Sequence, residues 1–251
     1  MNGSDQYDAF AADYKWLFSD KTLTGNSQIE ELMPIVTTFE KPRILDCACG
    51  TGLAALALAH RGYEVFGTDV SASMVMQARR HAIEQKMQVP FAVCSWESLP
   101  ANIKEPFDLV ICPGNSLGHC RDEGEMLRSL QGMRAVMREG GTLIIDSRNW
   151  EKLYAERVRF THFGMRERTG VHCIPLYVWN FGREFNESLV VEVVLVFEQQ
   201  GTVRLQTYNI TYQPFRHEQL LALLQQAGFS NPKTDWTVQA NSYRVLAGVE
   251  Q

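Results

Sequence analysis

Two glycines and an aspartate are the first residues in this chain whose spacing could do chemistry. Gly50-Thr51-Gly52 follows the apolar run Ile44 to Ala48, and Asp69 stands seventeen residues beyond Gly52. Glycines between a strand and a helix let the backbone turn tightly and approach a ligand closely. A carboxylate ending the next strand can accept two hydrogen bonds from ribose hydroxyls. The competing role for Asp69, capping the helix that follows, is already well served by Ser71. Asn115, His119 and Arg148 form a second set: an amide, an imidazole and a planar guanidinium suited to holding a carboxylate or orienting an amine. Taken singly, Arg148 could equally end a strand in a salt bridge, and His119 could be a satisfied structural histidine.

The elements that must position these residues read as an alternation. Apolar runs at 43–48, 63–69, 89–96, 107–114 and 141–148 predict strands, several of them apolar on both faces. Between them, 51–62, 71–85 and 122–140 predict helices, and 27–39 carries a helical stripe before the first strand. Strands alternating with helices predict an α/β fold, a doubly wound, mostly parallel sheet. From about 162 to 213 the pattern becomes long alternating segments with no helix between them, an antiparallel β insert with a hairpin turn at 199–202. A helix at 216–229 and two closing strands, 233–239 and 242–249, then resume the first pattern. The expected organisation is a helical cap segment at 1–40, a core domain at 41–150 and 214–251, and the insert at 151–213 covering the site.

Composition narrows the function. The chain has 251 residues, 45% hydrophobic and 21% charged, with a formal charge of -5, so it can bury a substantial core. Lysines and arginines are scattered, whereas nucleic-acid binding usually leaves a basic patch, so no nucleic-acid partner is expected. The opening MNGSDQYDAF lacks a signal pattern, and no apolar run reaches the ~20 residues a membrane helix needs. A soluble, cytoplasmic protein is the expectation, with a homo-oligomer left open. The six cysteines at 47, 49, 94, 112, 120 and 173 lack zinc-site spacing, and Cys47-Ala48-Cys49 is not a C-x-x-C pair. They are expected to be reduced packing residues, with no metal.

A nicotinamide dinucleotide and S-adenosyl-L-methionine both fit the glycine loop and Asp69. Asp46 favours the second, because a carboxylate inside the first strand is awkward in a dehydrogenase. Ser95-Trp96, at the end of the third predicted strand, adds an aromatic surface for an adenine. The pattern D-x-x-x-G-x-G with a later acid resembles the class I methyltransferases, which implies a seven-stranded sheet in the order 3-2-1-4-5-7-6. Three stretches narrow the resemblance to glycine N-methyltransferase and the glycine/sarcosine N-methyltransferases: LDCACGTG at 45–52, VICPGNSLGH at 110–119 and IDSRNW at 145–150. The opening DQY and YKWLFSD segments are also similar to that family.

The resemblance implies S-adenosyl-L-methionine as cofactor, seated by Ala48, Gly50 and Gly52, with Asp69 on the ribose. It implies Val70, Met74, Ser95 and Trp96 around the adenine, and Pro113 and His119 near the methionine part. Tyr7 and Trp16 match N-terminal aromatics that fold over the cofactor. Asn115 and Arg148 would hold the acceptor. The family's arginine for the cofactor carboxylate has no counterpart in SDKTLTG, which offers only Lys21 and Thr22. Tyr177, Tyr208 and Tyr212 are the candidate lid tyrosines. The implied activity is methyl transfer to a small-molecule amine of the glycine or sarcosine type. A small-molecule O- or C-methyltransferase and a non-catalytic nucleotide-binding module are the alternatives.

Overall fold

The computed structural model describes residues 3–250, with side chains described from Gln6 onward. The chain opens with α1 (Gly3–Phe10), α2 (Asp20–Leu23), α3 (Asn26–Glu30) and α4 (Met33–Val36). The core alternation follows as β1 (Arg43–Asp46), α5 (Leu53–His60), β2 (Glu64–Asp69), α6 (Ala72–Glu84) and β3 (Phe91–Val93). It continues through α7 (Leu99–Asn102), β4 (Phe107–Cys112), α8 (Glu123–Ala135), β5 (Met137–Arg148) and α9 (Trp150–Glu156). The insert holds β6 (Phe160–His162), β7 (Arg166–Arg168), β8 (Val171–Asn180), β9 (Leu189–Gln199) and β10 (Thr202–Tyr212). The chain closes with α10 (His217–Gln226), β11 (Ser230–Thr234) and β12 (Ser242–Gly248).

The main sheet has seven strands ordered β11-β12-β5-β4-β1-β2-β3. With β12 as the seventh strand, this is the expected 3-2-1-4-5-7-6. Strands β1 to β5 pair in parallel, whereas β12 runs antiparallel to β5 and β11 antiparallel to β12. Both faces are covered. Ile44, Leu109, Ile111 and Ile144 pack with α3 to α6 on one side. Leu45, Val110, Leu143 and Ile145 join the α8 and α10 side chains on the other. A residue such as Leu109, wholly buried, contributes about 1.5–3 kcal/mol by leaving water.

The insert forms a second sheet, β10-β9-β8-β6, with β7 also on β8. Strand β9 alternates strictly, burying Val191, Val193, Leu195 and Phe197 into the same core that backs the main sheet. Its hairpin to β10 turns on Gln200 and Gly201, both at positive φ (51° and 79°), as a two-residue type I′ turn requires.

Three expectations change in detail. The stripe at 27–39 is two short helices, because Pro34 cannot donate to the turn before it and the ladder breaks ahead of it. The third strand shortens to Phe91–Val93, since its partner β2 ends at Asp69. The strand expected at 233–239 is Ser230–Thr234; Trp236 leaves the sheet to stack on His217 at 4.8 Å and 13°. The six cysteines are buried and unpaired. Among the described residues no His/Cys/Asp/Glu cluster could hold a metal, and no helix is long and apolar enough to cross a membrane.

Candidate active site

The C-terminal ends of β1, β2, β4 and β5 point the same way, and the chain's polar residues gather there. After β1 the backbone turns through Gly50 and Gly52, both at positive φ (50° and 84°), a conformation that costs a glycine little. The two glycines do different work. A Cβ at Gly50 would meet nothing within 4 Å, so that face of the loop is open. A Cβ at Gly52 would press to 3.0 Å from Ala78 and Phe91, so Gly52 permits close helix–sheet packing.

Asp69 fastens this loop to the next. Its Oδ2 accepts the Gly50 amide at 2.8 Å and its Oδ1 accepts the Ser71 amide at 2.9 Å. A carboxylate offers about four lone-pair sites, so each oxygen keeps room for a hydroxyl donor. Burial pushes the Asp69 carboxyl up, and the Ser71 and Gly50 amides pull against it. Ser71 is the N-cap of α6, accepting the Met74 amide at 3.1 Å. Its hydroxyl donates to Asp8 of α1 at 2.5 Å, and the Ser73 amide donates to the same Asp8 oxygen at 2.9 Å. Asp8 is a residue that sequence reasoning passed over, since its partners lie more than sixty positions away.

Asp46 is wholly buried; its Oδ1 accepts the Ala48 amide at 3.4 Å and its Oδ2 has no partner. Burial, opposed by that amide, pushes its carboxyl up to about 7. Trp96 donates its indole N–H to the Cys47 carbonyl at 2.7 Å, which pins the ring beside the glycine loop. Ser95 turns its hydroxyl to Ser98 at 2.8 Å, Val70 is 46% exposed, and Met74 is buried. The orphaned Asp46 oxygen, the open face of Gly50, the spare acceptors of Asp69 and the fixed Trp96 ring fit an adenosyl amino acid: an ammonium, a backbone seat, a ribose and an adenine. Lys21 is exposed and Thr22 is hydrogen-bonded to Ser19, so neither is poised for a carboxylate.

The second set assembles across β4 and β5. After Pro113, whose carbonyl accepts the Ser116 hydroxyl at 2.6 Å, Gly114 and Asn115 both take positive φ (73° and 64°). Asparagine tolerates that region better than most residues. The reversal brings the Asn115 Oδ1 to the Arg148 amide at 2.9 Å and leaves its Nδ2 buried without a partner. The Arg148 guanidinium lies 4.8 Å over the Trp179 ring and 6.0 Å from that of Trp150. Among the described residues it has no salt bridge, and its Nε is buried and unpaired.

His119 joins the N-terminal segment to the insert. Its Nδ1 lies 3.2 Å from the Thr211 carbonyl, which can only accept, so Nδ1 carries the proton. Its Nε2 therefore accepts the Tyr7 hydroxyl at 2.9 Å. Burial pushes the imidazole down to about 4, so it is neutral at physiological pH. Tyr212 stacks on it at 4.5 Å. Burial raises the Tyr7, Tyr177 and Tyr212 phenols, which keep their protons. Tyr208 is bound elsewhere, its hydroxyl on Asp13 at 2.6 Å. Trp16 is buried edge-on against Phe197 at 5.3 Å, under the insert sheet. Trp179 and Trp150 are the other side chains that sequence reasoning missed. The alternation of IPLYVWNF could give Trp179 its face, but not its register against Arg148.

Comparison with known proteins agrees with this fold. A family profile described as a methyltransferase domain matches residues 44–141. The chain is 28% identical over 192 residues to the glycine/sarcosine N-methyltransferase of Aphanothece halophytica, covering 76% of this chain and 68% of that protein. It is 30% identical over 164 residues to the glycine N-methyltransferase of Oryctolagus cuniculus, covering 59% and 56%. The matched part thus spans between half and about two thirds of the length of these relatives. Among solved structures, an S-adenosylmethionine-dependent methyltransferase from Clostridium acetobutylicum aligns with TM-score 0.74 at 18% identity, over 98% of this chain and 99% of that one. The CcbJ methyltransferase from Streptomyces caelestis aligns with TM-score 0.77 at 15% identity, over 100% and 99%. Residues 44–141 thus match a methyltransferase domain, the chain shares the fold of S-adenosylmethionine-dependent methyltransferases, and in sequence it resembles glycine N-methyltransferase.

Proposed function

We propose that this protein transfers a methyl group to a small amine that also carries a carboxylate, of the glycine or sarcosine kind. The observation that carries this reading is Arg148. A guanidinium packed on tryptophan, with a buried Nε and no carboxylate among the described residues, is a cation without a counter-ion. Burying a charge unpaired is costly, and an incoming carboxylate removes that cost while gaining a planar, two-pronged contact. The unpaired Nδ2 of Asn115, on the residue that grips the Arg148 backbone, gives the same carboxylate a further donor.

S-adenosylmethionine supplies the activated methyl group when bound. The residues that would hold it are Ala48, Gly50, Asp69 and Trp96, with Asp46 toward its ammonium. What the chain's own residues do is position and enclose. Arg148 and Asn115 fix the acceptor by its carboxylate, which turns a bimolecular encounter into an oriented one. Tyr7, Tyr177 and Tyr212, protonated and packed about His119 and Trp179, wall the site from water. A neutral amine needs no base to expose its lone pair. His119, neutral and already accepting from Tyr7, is a support for Tyr7 in this reading and not a proton acceptor. We further propose that residues 151–213 act as the cover over this site and residues 1–40 as its cap.

The test is release of S-adenosylhomocysteine with glycine, sarcosine and amine-free carboxylates as acceptors. Turnover only with the amines supports the reading. Turnover of an amine-free hydroxy acid would point to O-methylation on the same scaffold and defeat it.

A further inference from the structure

Strand β10 is an edge of the insert sheet. Strand β9 pairs along one side of it, from Thr202↔Gln199 to Tyr212↔Leu189, with no shift of register. In a two-residue hairpin the residues flanking the turn form the first hydrogen-bonded pair, and bonded pairs recur at every second position. Even-numbered residues of β10 therefore bond β9, and odd-numbered ones turn their N–H and C=O outward. At Thr211 the chain closes this edge itself: the amide donates to Gln6 and the carbonyl accepts from His119. The outward groups of Val203, Leu205, Thr207 and Asn209 have no such partner among the described residues.

A free edge is a template for another strand, and proteins usually blunt it with proline, lysine, a bulge or a short strand. This edge has none of these. It runs for 11 residues as TVRLQTYNITY, without proline or lysine, and its ladder to β9 has no bulge. Val203 and Leu205 stand 63% and 64% exposed beside the unpaired backbone.

Symmetry and charge select the occupant. A strand paired antiparallel with its own copy is two-fold by construction, so the contact closes at two chains. Centring it on Gln206, the middle of the free stretch, matches 203 with 209 and 205 with 207, and every outward group gains a partner. The same register sets Arg204 beside the partner's Tyr208. Arg204 lies 3.8 Å over the Phe197 ring and has no ion pair among the described residues. Tyr208 donates to Asp13 at 2.6 Å, so the unpaired cation of each copy meets a carboxylate of the other. Centring on Arg204 would set its guanidinium opposite itself, which destabilises a cross-strand pair. Centring on Leu205 would turn Asn209 against the hairpin turn at Gly201.

We infer that two copies of this chain join through β10, antiparallel about Gln206, so that the two insert sheets become one. The contact is small beside a standard interface, and its Kd is on the order of micromolar.

The test is sedimentation velocity of the full chain across the micromolar range. The expected mass rises with concentration toward twice 28.5 kDa. Thr207→Pro removes an outward N–H and leaves the ladder to β9 whole. Leu205→Lys puts a charge on the edge. Each should raise Kd about thirtyfold or more, because each contact is lost twice across the two-fold axis, and Arg204→Gln should raise it about tenfold. A thermal melt checks the fold; if the proline variant melts early, Leu205→Lys, at a side chain already exposed, carries the comparison. Gln206→Cys should cross-link to its own copy on air oxidation, since non-bonded antiparallel partners stand about 4.5 Å apart at Cα, within disulfide reach. The parent should not cross-link, its six cysteines being buried. A parent that stays monomeric throughout, a dimer that both edge variants leave intact, or a dimer in which Gln206→Cys fails to cross-link overturns the inference.

Discussion

Replacing Arg148 separates the demands of substrate from those of folding. Arg148→Met removes the charge and keeps much of the stem that packs on Trp179. A charge-assisted hydrogen bond to a carboxylate is worth about 1.5–3 kcal/mol, so losing a two-pronged contact should cost about 3 kcal/mol. At about 1.4 kcal/mol per decade, KM for a carboxylate acceptor rises roughly a hundredfold. Stability should behave differently. The free protein already bears the cost of a buried, unpaired Nε, about 1–3 kcal/mol, against about 1–2 kcal/mol returned by the tryptophan face. The net is close to zero, so Tm should stay within about 4 °C of the parent. Arg148→Lys restores charge without the planar fork and should recover only part of KM. The assays are steady-state kinetics varying acceptor and cofactor separately, calorimetry with S-adenosylmethionine, and a thermal melt. Equal losses in acceptor KM and cofactor affinity, or a Tm lowered by ten degrees or more, would show that Arg148 is a structural cation and refute the role given to it.

Asp46 gives a pH-dependent prediction. Its carboxyl sits at about 7 in the fold against an ordinary 3.8, so its contribution to stability is complete below the ordinary value and is lost as pH rises through about 7. Asp46→Asn should flatten that decline and make the free protein more stable at pH 8 by up to about 4 kcal/mol, read by urea unfolding at pH 5 and pH 8, while weakening the cofactor. An unchanged pH slope would contradict the burial argument. Trp96→Phe loses the bond to the Cys47 carbonyl and frees the ring; cofactor affinity should fall about tenfold, since a hydrogen bond of this kind contributes about 1 kcal/mol and ring order adds to it, with acceptor KM little changed in the same kinetics. Gly132→Ala acts on the same ring from outside the site. Its Cβ would stand 2.1 Å from the Trp96 carbonyl, so α8 or the 96–98 turn must shift. The expected cost is about 1–3 kcal/mol of stability together with weaker cofactor binding, and a normal Tm with normal affinity would disprove the packing account.

Much of this was legible because it is local. The apolar run into Gly50, the acid ending β2 and the Ser71 cap all follow from neighbours in sequence, and the structure has them in that form. The strand order came from kinship, not from periodicity. What stayed hidden depends on distant register. Tyr208 and Tyr212 share a face of β10, so alternation makes them equivalent. Four residues of strand, about 13 Å at 3.3 Å each, put Tyr212 against His119 and Tyr208 against Asp13. Likewise Asp46 showed in the sequence as an anomaly, but its orphaned oxygen needed the packing of Ala48 and Ala55 about it to be seen.

The fastening of α1 has a kinetic consequence. Through Asp8 it is tied to the cap of α6, through Tyr7 to His119, and through Gln6 to the Thr211 amide of the insert. One short helix thus bolts the start of α6 to the insert sheet. With a nucleoside seated at Asp69 as proposed, its exchange is expected to require those bolts to slip, tying it to the opening of both walls at once. Turnover should then be paced by departure and not by methyl transfer, seen as a burst in the first cycle. Asp8→Ala should hasten the steady state while loosening the grip on S-adenosylhomocysteine.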